Sequence, residues 1–474
     1  MSNYEHEARR RRQARLAKKA KQQRRRRQMV LMAAAAAVVL LVAVLIFAGR
    51  NSEPLETTAP TETTVPVETT APTQTTAPVE TTTPAETTEP VQTTESALTT
   101  APGDTTPGET QAPKPQSGTT VIRLAAAGDL NVTDYMLDNA AHENGYDFSQ
   151  TFLDVAPVLS GADLTLLNFE GNLSGGSYGS KTGAAPLELP KTLKAIGVDA
   201  VQTANSAAIR QGVSGLVSTL EVMDRVGLKA LGTFANSAAF RKSGGYEVID
   251  VNGIRIAIVA FTKGMDNLGL PAGSEDCVNL LYEDYSTDYK KVDTDGIARV
   301  LRNVAEEQPD ITIAMVHWGS EYNEEISSTQ EKIRKQLQEG GVDIILGTHP
   351  HLVQKVDYDP IAHTLVAYSL GDFFGDGVRG GTNYSIILDL EITKDHESGI
   401  TKITDYGYTP LYILSEGESA DGNRRVVRIR ETMAAYDVNF VDKVTGSAYE
   451  SMKTALERIN SRVSGELTNQ EKKK

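Results

Sequence analysis

From residue 119 onward, short apolar runs alternate with segments whose apolar residues have helical spacing. The strand-like runs lie at 121–127, 163–168, 199–202, 254–261, 310–316 and 343–346. Segments with apolar residues three or four positions apart lie at 151–159, 190–196, 216–226, 295–307 and 329–339. Strands that alternate with helices along the chain predict an α/β layered fold.

The C-terminal part of this region has a different pattern. Further strands are predicted at 365–370 and 385–390, and residues 400–430 are strand-rich without helical spacing. This pattern predicts an antiparallel edge of the sheet. Residues 433–462 have helical spacing and predict one or two closing helices.

An uncharged apolar segment of 21 residues, 29–49, precedes the alternating region. A helix of this length can cross the hydrocarbon core of a bilayer. Residues 1–28 carry 12 Lys and Arg residues, and such a basic flank stays on the cytoplasmic side. We therefore expect a cytoplasmic tail and an uncleaved signal-anchor. The alternative is a cleaved signal peptide, although its apolar core is normally shorter.

Charge is divided unevenly along the chain. Residues 1–28 have a net charge of +10, whereas residues 51–474 have a net charge of −26. An acidic body argues against nucleic acid as a partner.

Cys277 is the only cysteine, so no intrachain disulfide can form. An exported protein without disulfides fits the envelope of a Gram-positive-like bacterium, which lacks an oxidising periplasm.

Residues 51–118 are of low complexity, and prolines recur every six residues at Pro60, Pro66, Pro72, Pro78, Pro84 and Pro90. Apolar residues are too few there to form a core, and regular proline favours polyproline II. At about 3.1 Å per residue this segment could reach roughly 200 Å. We expect a disordered Thr/Pro-rich stalk that carries a domain at 119–465 away from the membrane.

Polar side chains follow the ends of several predicted strands. The segments are Gly128–Asn131, Asn168–Gly171, Asn205–Ala207, His317–Glu321 and Gly347–His351. Ligands of open α/β sheets bind beyond the carboxyl ends of the strands, so these segments can converge. Asp, Glu and neutral His are ligands that divalent Mn, Fe and Zn accept. The pattern therefore predicts a metal cleft suited to phosphoryl transfer.

Each polar position also has a purely structural interpretation. Asp129 could cap a helix that begins near Thr133. Glu170, beside Gly171, could lie in an exposed turn. His317 follows an apolar strand and could be a buried histidine that donates to the backbone. The joint occurrence of five such strand ends is what favours a shared site.

These motifs resemble those of the bacterial capsule-synthesis CapA family, which is associated with poly-γ-glutamate. The resemblance runs from about Val121 to Tyr412, on the motifs Ala127–Asp129, Leu167–Gly171, Ala204–Asn205, Met315–Tyr322, Gly347–His351 and Tyr368–Phe373. The family resembles calcineurin-like metallophosphoesterases. This implies a four-layer α/β fold, a metallophosphoesterase-like β-sandwich flanked by helices, preceded here by the transmembrane helix and the stalk.

The resemblance also assigns roles to individual residues. It implies that a divalent metal ion, Mn, Fe or Zn, is bound by Asp129, Glu170, His317, His349 and His351. His317 and Asp129 are then the catalytic candidates. The residues expected to bind substrate are Asn168, Asn205, Trp318, Glu321 and Asp372.

Departures from the family pattern concern one loop above all. The family usually reads Ala-Asn-Asn-His where this chain has Ala-Asn-Ser206-Ala207. On the resemblance, Ser206 replaces an amide metal ligand and Ala207 replaces a histidine that acts as general acid. Arg210 stands where an acidic residue is common, and Asp372 replaces an asparagine. Asn131 lies two residues after Asp129, where related phosphoesterases carry a histidine, so on the resemblance it could add a metal ligand.

Two functions are compatible with this sequence. The first is an anchored, extracytoplasmic metal-dependent hydrolase or transferase that acts on a phosphoester or a γ-glutamyl polymer. The second is a family member without turnover that binds an anionic capsular polymer or a polymer synthase or export protein. The stalk would also allow work on peptidoglycan. Loss of the general acid, which normally contributes 10²–10⁴ in rate, is the feature that favours the second.

Overall fold

The computed structural model describes residues 118–419, 422–439 and 444–463. The predicted cytoplasmic tail at 1–28 and the predicted membrane span at 29–49 lie outside these ranges. So does the predicted stalk, except for Gly118. Within the described ranges, no helix is both long enough and apolar enough to cross a membrane.

Strands alternate with helices through most of this region, as the sequence predicts. The strands are β1 (Thr119–Asn131), β2 (Ala141–His142), β3 (Gly145–Tyr146), β4 (Leu164–Glu170), β5 (Ala200–Gln202), β6 (Lys229–Leu231), β7 (Tyr246–Val251), β8 (Ile254–Thr262), β9 (Ile311–His317), β10 (Ile344–Thr348), β11 (Val356–Asp359), β12 (Thr364–Ala367), β13 (Asp372–Phe374), β14 (Tyr384–Asp395), β15 (Thr401–Leu414) and β16 (Arg425–Arg428). The helices are α1 (Asp134–Ala140), α2 (Ser149–Phe152), α3 (Ala156–Leu159), α4 (Glu188–Ala195), α5 (Gly212–Val226), α6 (Ser237–Ser243), α7 (Thr294–Glu306), α8 (Ser328–Glu339), α9 (Ile429–Asp437) and α10 (Gly446–Arg462).

Most of the strands form two large sheets. The first has the order β16-β15-β14-β1-β4-β5-β6, and β13 also pairs with β1. In this sheet β1, β4, β5 and β6 are parallel, and β14 to β16 form the predicted antiparallel edge. The second sheet has the order β11-β12-β10-β9-β8-β7, with β8, β9, β10 and β12 parallel. The carboxyl ends of the parallel strands in each sheet therefore meet at one edge.

The two sheets share one hydrophobic core. Leu124 and Leu166 of the first sheet belong to the same buried cluster as Ile258, Ile313 and Leu346 of the second. Alternate side chains of a strand point to opposite sides of the sheet. Both sides of these strands are covered, so their sequences read as continuous apolar runs rather than as an apolar and polar alternation.

Helices cover the outer face of each sheet. Leu189 and Leu193 of α4 pack against the first sheet in a second buried cluster. Ile297 of α7 and Ile333 of α8 pack against the second sheet in a third. The described region is therefore a mixed α/β fold in which two facing sheets lie between helices.

Two predicted elements differ from the structure. The helix predicted at 151–159 is divided into α2 and α3, with Leu153–Val155 in a turn between them. Pro157 lies in the first turn of α3, where its missing N–H costs nothing, whereas inside a longer helix it would remove a hydrogen bond. The strand predicted at 365–370 ends at Ala367, and the chain then bends toward β13.

Candidate metal centre

The carboxyl ends of β1, β4, β9 and β10 bring the predicted site residues together. Asp129 near the end of β1 lies in register with Asn168 of β4. His317 at the end of β9 lies in register with Thr348 of β10, one residue before His349. One edge of each sheet thus supplies the two halves of a cleft, as the strand-end pattern predicts.

The turn that follows β10 holds its two histidines in an unusual backbone conformation. His349 has a φ of 91° and His351 a φ of 59°. Non-glycine residues seldom adopt positive φ, and such strain is concentrated at functional sites. The His349 N–H donates to Asp129 Oδ2 at 3.1 Å, which attaches the turn to the first sheet. Gly347 permits a close approach, because a Cβ there would lie 2.0 Å from the Tyr368 carbonyl oxygen.

Asp129 is oriented by a chain of buried amides. Asn205 donates to Asn168 Oδ1 at 2.9 Å, and Asn168 donates to Asp129 Oδ1 at 2.6 Å. All three side chains are fully buried. Asn168 and Asn205, expected to bind substrate, therefore lie behind Asp129 and fix its carboxylate. Gly128 allows this packing, since a Cβ there would lie 1.8 Å from the Gly371 carbonyl oxygen.

A first candidate metal group consists of Glu170, His317 and His349, whose ligand atoms lie within 4.8 Å of one another. His317 Nε2 lies 2.5 Å from Glu170 Oε1, and the rings of His317 and His349 are 4.4 Å apart. The Nδ1 atom of His349 is buried without a hydrogen-bond partner. A buried polar atom in this condition is costly unless a ligand satisfies it.

Thr262, at the end of β8, selects the tautomer of His317. Its hydroxyl donates to the Gly264 carbonyl at 2.9 Å, and the same oxygen lies 3.1 Å from His317 Nδ1. The Thr262 oxygen therefore accepts a hydrogen bond from the Nδ1–H of His317, which leaves Nε2 directed at Glu170 as the ligand atom. Metal-binding histidines commonly donate their other ring N–H in this way.

A second candidate group consists of Asp129, His351 and Asp372. His351 Nδ1 donates to Asp372 Oδ1 at 2.8 Å and lies 3.6 Å from Asp129 Oδ2. Asn131 donates to the same Asp372 oxygen at 3.0 Å. Asn131 thus faces the cleft, where the resemblance suggested a ligand. Glu321 forms a third group with His349 and His351, and it is exposed at the cleft mouth.

The pKa values of the three buried carboxylates are shifted in different directions. Burial raises the pKa of Asp129 to about 8, although the nearby His351 opposes this shift. Burial likewise raises the pKa of Asp372, against the attraction of His351. Burial would also raise the pKa of Glu170, but His317 outweighs it and lowers that pKa to about 2. With a pKa of about 8, Asp129 is therefore largely protonated at neutral pH when no metal is bound, whereas Glu170 is ionised.

The two histidines of the turn also differ. Burial lowers the pKa of His349 well below its ordinary value, and the neighbouring His317 and Lys263 add to this effect because a positive charge on either repels a proton on His349. Burial would lower the pKa of His351 too, but Asp372 and Asp129 outweigh it and raise that pKa well above its ordinary value. Neutral imidazole is the form that binds metals, so His349 is ready to act as a ligand.

The residues present fit a divalent cation. Carboxylates and imidazoles from separate segments converge, one imidazole nitrogen lacks a partner, and buried carboxylates are stabilised by a neighbouring positive charge. Asp129, Glu170, His317, His349, His351 and Asp372 are the residues that would bind it. Glu170, His351 and Asp372 line a cleft of about 260 Å³, whose wall also includes Ser206, Arg210 and Tyr322.

The structural interpretations of the site residues do not hold. Asp129 does not cap α1, because the Thr133 hydroxyl accepts from the Met136 N–H at 3.2 Å and forms the N-cap itself. Glu170 is buried rather than in an exposed turn. His317 contacts the side chains of Glu170 and Thr262 instead of donating to the backbone.

Trp318, expected among the substrate-binding residues, does not line the cleft. Its side chain is fully buried, its indole donates to the Tyr368 carbonyl at 2.9 Å, and it stacks on the Tyr368 ring. It belongs to the core between the second sheet and its helices. Neighbouring side chains at a strand end point to opposite faces, so His317 points toward Glu170 and Trp318 points away from it.

In the loop that departs from the family pattern, some residues line the cleft and others do not. Ser206 lines the cleft, and its hydroxyl lies 3.4 Å from Glu170 Oε1. Ala207 is buried, and its N–H donates to Asn205 Oδ1 at 3.1 Å. Arg210 lines the cleft and pairs with Asp266 at 2.7 Å.

Thr262 is a site residue that the sequence did not bring out, although it follows an apolar run just as Asp129 and His317 do.

Comparisons with known proteins give a consistent family. The family model described as bacterial capsule synthesis protein PGA_cap matches residues 123–376. The PGA biosynthesis protein CapA of Bacillus subtilis (strain 168) is 25% identical over 357 residues, which cover 71% of this chain and 84% of that protein. The capsule biosynthesis protein CapA of Bacillus anthracis is 25% identical over 305 residues, which cover 62% and 69%.

Solved structures show only weak similarity. A phosphatase from Mycoplasma pneumoniae is 15% identical with a TM-score of 0.39, covering 62% of this chain and 95% of that one. The calcineurin-like phosphoesterase YfkN from Bacillus subtilis is 14% identical with a TM-score of 0.36, covering 73% and 98%. No activity follows from similarity at this level. Because the PGA_cap family model matches more than half of the sequence, this protein belongs to the bacterial capsule synthesis protein PGA_cap family.

Proposed function

We propose that the protein takes part in the synthesis or export of a capsular polymer of the poly-γ-glutamate type and that its cleft acts with a bound divalent metal ion, Mn, Fe or Zn. The convergence of six ionisable ligand candidates from five segments of the two sheets, with His349 Nδ1 left unpartnered, carries this proposal. The family assignment supports the role in capsule synthesis.

Asp129, Glu170 and the three histidines would hold the ion, together with Asp372. When bound, such an ion polarises a phosphoryl or carbonyl oxygen and can supply a nucleophilic water. The chain's own residues prepare the site for this chemistry. Asn168 and Asn205 fix the Asp129 carboxylate, and Thr262 holds the His317 tautomer. The reaction would be hydrolysis or transfer at a phosphoester or a γ-glutamyl bond.

A second candidate function is binding without turnover. The observation that favours it is Ala207, which can neither bind a metal nor transfer a proton at the position where the family carries a histidine. Ser206 beside it offers a hydroxyl, a weaker ligand than an amide oxygen. In this reading the same metal-loaded cleft binds an anionic capsular polymer and presents it to a polymer synthase or export protein.

The proposed location follows from the N-terminal sequence. Residues 29–49 would anchor the protein in the cell membrane, and the basic residues before them would stay in the cytoplasm. The α/β domain would then lie outside the cell at the end of the Thr/Pro-rich stalk. The acidic charge of residues 51–474 supports the exclusion of nucleic acid as a partner.

Turnover by the full-length protein in detergent separates the two functions. The substrates are bis(p-nitrophenyl) phosphate and a γ-linked glutamate oligomer, each assayed with and without Mn²⁺. Glu170→Gln is the matched variant, because it keeps the shape of the side chain and removes its charge. Metal-dependent product that disappears in Glu170→Gln supports the enzyme. Metal-dependent binding of the oligomer without product supports the binding function, and the absence of both contradicts the proposal.

A further inference from the structure

Tyr322 connects the candidate metal centre with an arginine at the rim of the cleft. Its ring stacks on the His351 imidazole, with centroids 5.4 Å apart and planes inclined by 26°. The Arg379 guanidinium also lies over the Tyr322 ring, 4.1 Å from its centroid. A cation in this position is attracted to the electron-rich face of the ring. Tyr322 therefore holds Arg379 beside the cleft.

The backbone around both residues is fixed by hydrogen bonds. The Tyr322 N–H donates to the Pro350 carbonyl at 2.9 Å, inside the turn that carries His349 and His351. The Arg379 carbonyl accepts from both the N–H and the hydroxyl of Thr382, at 3.1 and 2.9 Å. Tyr322 is thus attached to the turn that carries the two histidines, and Arg379 is attached to Thr382, which lines the cleft.

The N–H donors of the Arg379 guanidinium are available to bind an anion. The residue is exposed, and across the described parts of the chain it has no carboxylate partner. Arg210, on another wall of the cleft, is by contrast already paired with Asp266. A guanidinium presents a planar fork of N–H donors that matches a carboxylate or a phosphate. Of these two arginines, Arg379 is the one able to accept an anion from outside.

We propose that Arg379, supported by Tyr322, binds an anionic group of the substrate at the rim of the cleft, next to the group held at the metal centre. The inference rests on the proposed function, since it assumes that the cleft takes an anionic polymer or phosphoester. A polymer with one carboxylate per unit offers a second anion beside the first. Arg379 is therefore a positioning residue that favours polyanionic chains over single anionic units.

Binding of defined anions to the full-length protein with saturating Mn²⁺ tests this inference. The probes are a γ-linked glutamate decamer, free glutamate and inorganic phosphate, measured by isothermal titration calorimetry. Arg379→Ala is expected to weaken decamer binding roughly tenfold and to leave both small anions unaffected. Arg379→Lys, which keeps the charge without the fork, should give an intermediate loss.

A matched control removes an arginine of the same kind elsewhere. Arg430 lies 5.2 Å from the centroid of the Tyr408 ring, and neither residue lines the cleft. Arg430→Ala should therefore bind the decamer as the wild type does. Tyr322→Phe keeps the supporting ring and should also bind normally, whereas Tyr322→Leu should behave like Arg379→Ala.

Metal content, measured on each variant, separates this inference from the proposed function. A wild-type protein that binds no Mn²⁺ contradicts the proposed function itself. A metal-loaded wild type that binds no decamer, or an Arg379→Ala variant that binds it normally, overturns the role of Arg379. A tenfold loss confined to inorganic phosphate would also overturn it, because Arg379 would then bind a single anion rather than a second anionic group of a chain.

Discussion

His351 Nδ1 donates a hydrogen bond to Asp372 Oδ1 over 2.8 Å, and this contact joins the histidine turn to β13. Asp372 also lies in register with Asp129, because β13 pairs with β1. One carboxylate thereby connects the carboxyl edges of both sheets. The resemblance places Asp372 where the family usually has asparagine, so this charged contact is a feature of the present chain.

Replacement of Asp372 by asparagine should lower the pKa of His351. The amide oxygen can still accept from the imidazole, but the negative charge that outweighs burial is lost. Histidine resonances followed by NMR across a pH titration of the metal-free protein measure this change. Asp376→Asn is the control, because Asp376 also lines the cleft, whereas the hydrogen bond and ion pairs of His351 are with Asp372 and Asp129. An unchanged His351 titration in Asp372→Asn would contradict the assigned cause.

Metal affinity should rise with pH between about 6 and 8. In the metal-free protein the pKa of Asp129 is about 8 and that of His351 is well above its ordinary value, so both keep their protons to higher pH than an unperturbed Asp or His does. A cation must displace these protons, and its affinity grows as the pH approaches the folded-state pKa values. Calorimetry in two buffers of different ionisation enthalpy measures the protons released. Binding without proton release would contradict this, because it would mean that the cation displaces no proton from either Asp129 or His351.

The metal should also stabilise the fold more at pH 8 than at pH 6. An unfolded Asp ionises near pH 3.9, whereas Asp129 in the metal-free fold ionises only near pH 8. Its contribution to stability is therefore lost progressively as the pH rises through this window. A bound cation removes that penalty. Thermal midpoints with and without Mn²⁺ at the two pH values give the comparison, and an equal shift at both would contradict it.

Gly128→Ala should destabilise the protein by about 3 kcal/mol, because overpacked cores force the backbone apart. The added Cβ would lie 1.8 Å from the Gly371 carbonyl oxygen, which accepts from the Asp129 N–H. Urea unfolding measures the loss. Gly417→Ala is the matched control, since its Cβ would meet nothing within 4 Å. Similar unfolding midpoints for the two variants would mean that the approach of β1 to Gly371 is not as close as described.

The paired change Ser206→Asn with Ala207→His should strengthen metal binding and raise phosphodiester turnover. Ser206 lies beside Glu170, so an amide there gains access to the ligand group of Glu170, His317 and His349. A restored general acid would be expected to add roughly 10²–10⁴ in rate. Because Ala207 is buried, the histidine must move the loop to reach the cleft, and Ser206→Asn alone serves as the control. Unchanged turnover in the pair would argue against this loop as the site of the missing acid.

The fold and most of the cleft were accessible from the sequence for one physical reason. Strands buried on both faces read as uniform apolar runs, and the first polar residue after such a run marks the carboxyl edge of the sheet. Asp129, His317 and His349 were found in this way. Thr262 obeys the same rule after β8 and could have been included.

What the sequence did not reveal depends on contacts between distant segments. Asn131 and Asp372 are 241 residues apart, and no local pattern announces their hydrogen bond. The division of strands between two sheets was equally hidden, since a run that is apolar on both faces does not indicate which face meets which sheet. Trp318 was expected to bind substrate but lies in the core, because the sequence does not show which side of β9 faces the cleft.

Metal content of the full-length protein tests the central claim most directly. The purified protein is incubated with Mn²⁺, Zn²⁺ or Fe²⁺, freed of excess ion and measured by elemental analysis beside two double variants. His349→Ala with His351→Ala removes the turn ligands, and His363→Ala with His396→Ala removes two histidines away from the cleft. We predict near-stoichiometric metal in the wild type and the control pair, with loss from the His349 and His351 pair. Absence of metal from the wild type at saturating ion, or full retention in that pair, would contradict the account.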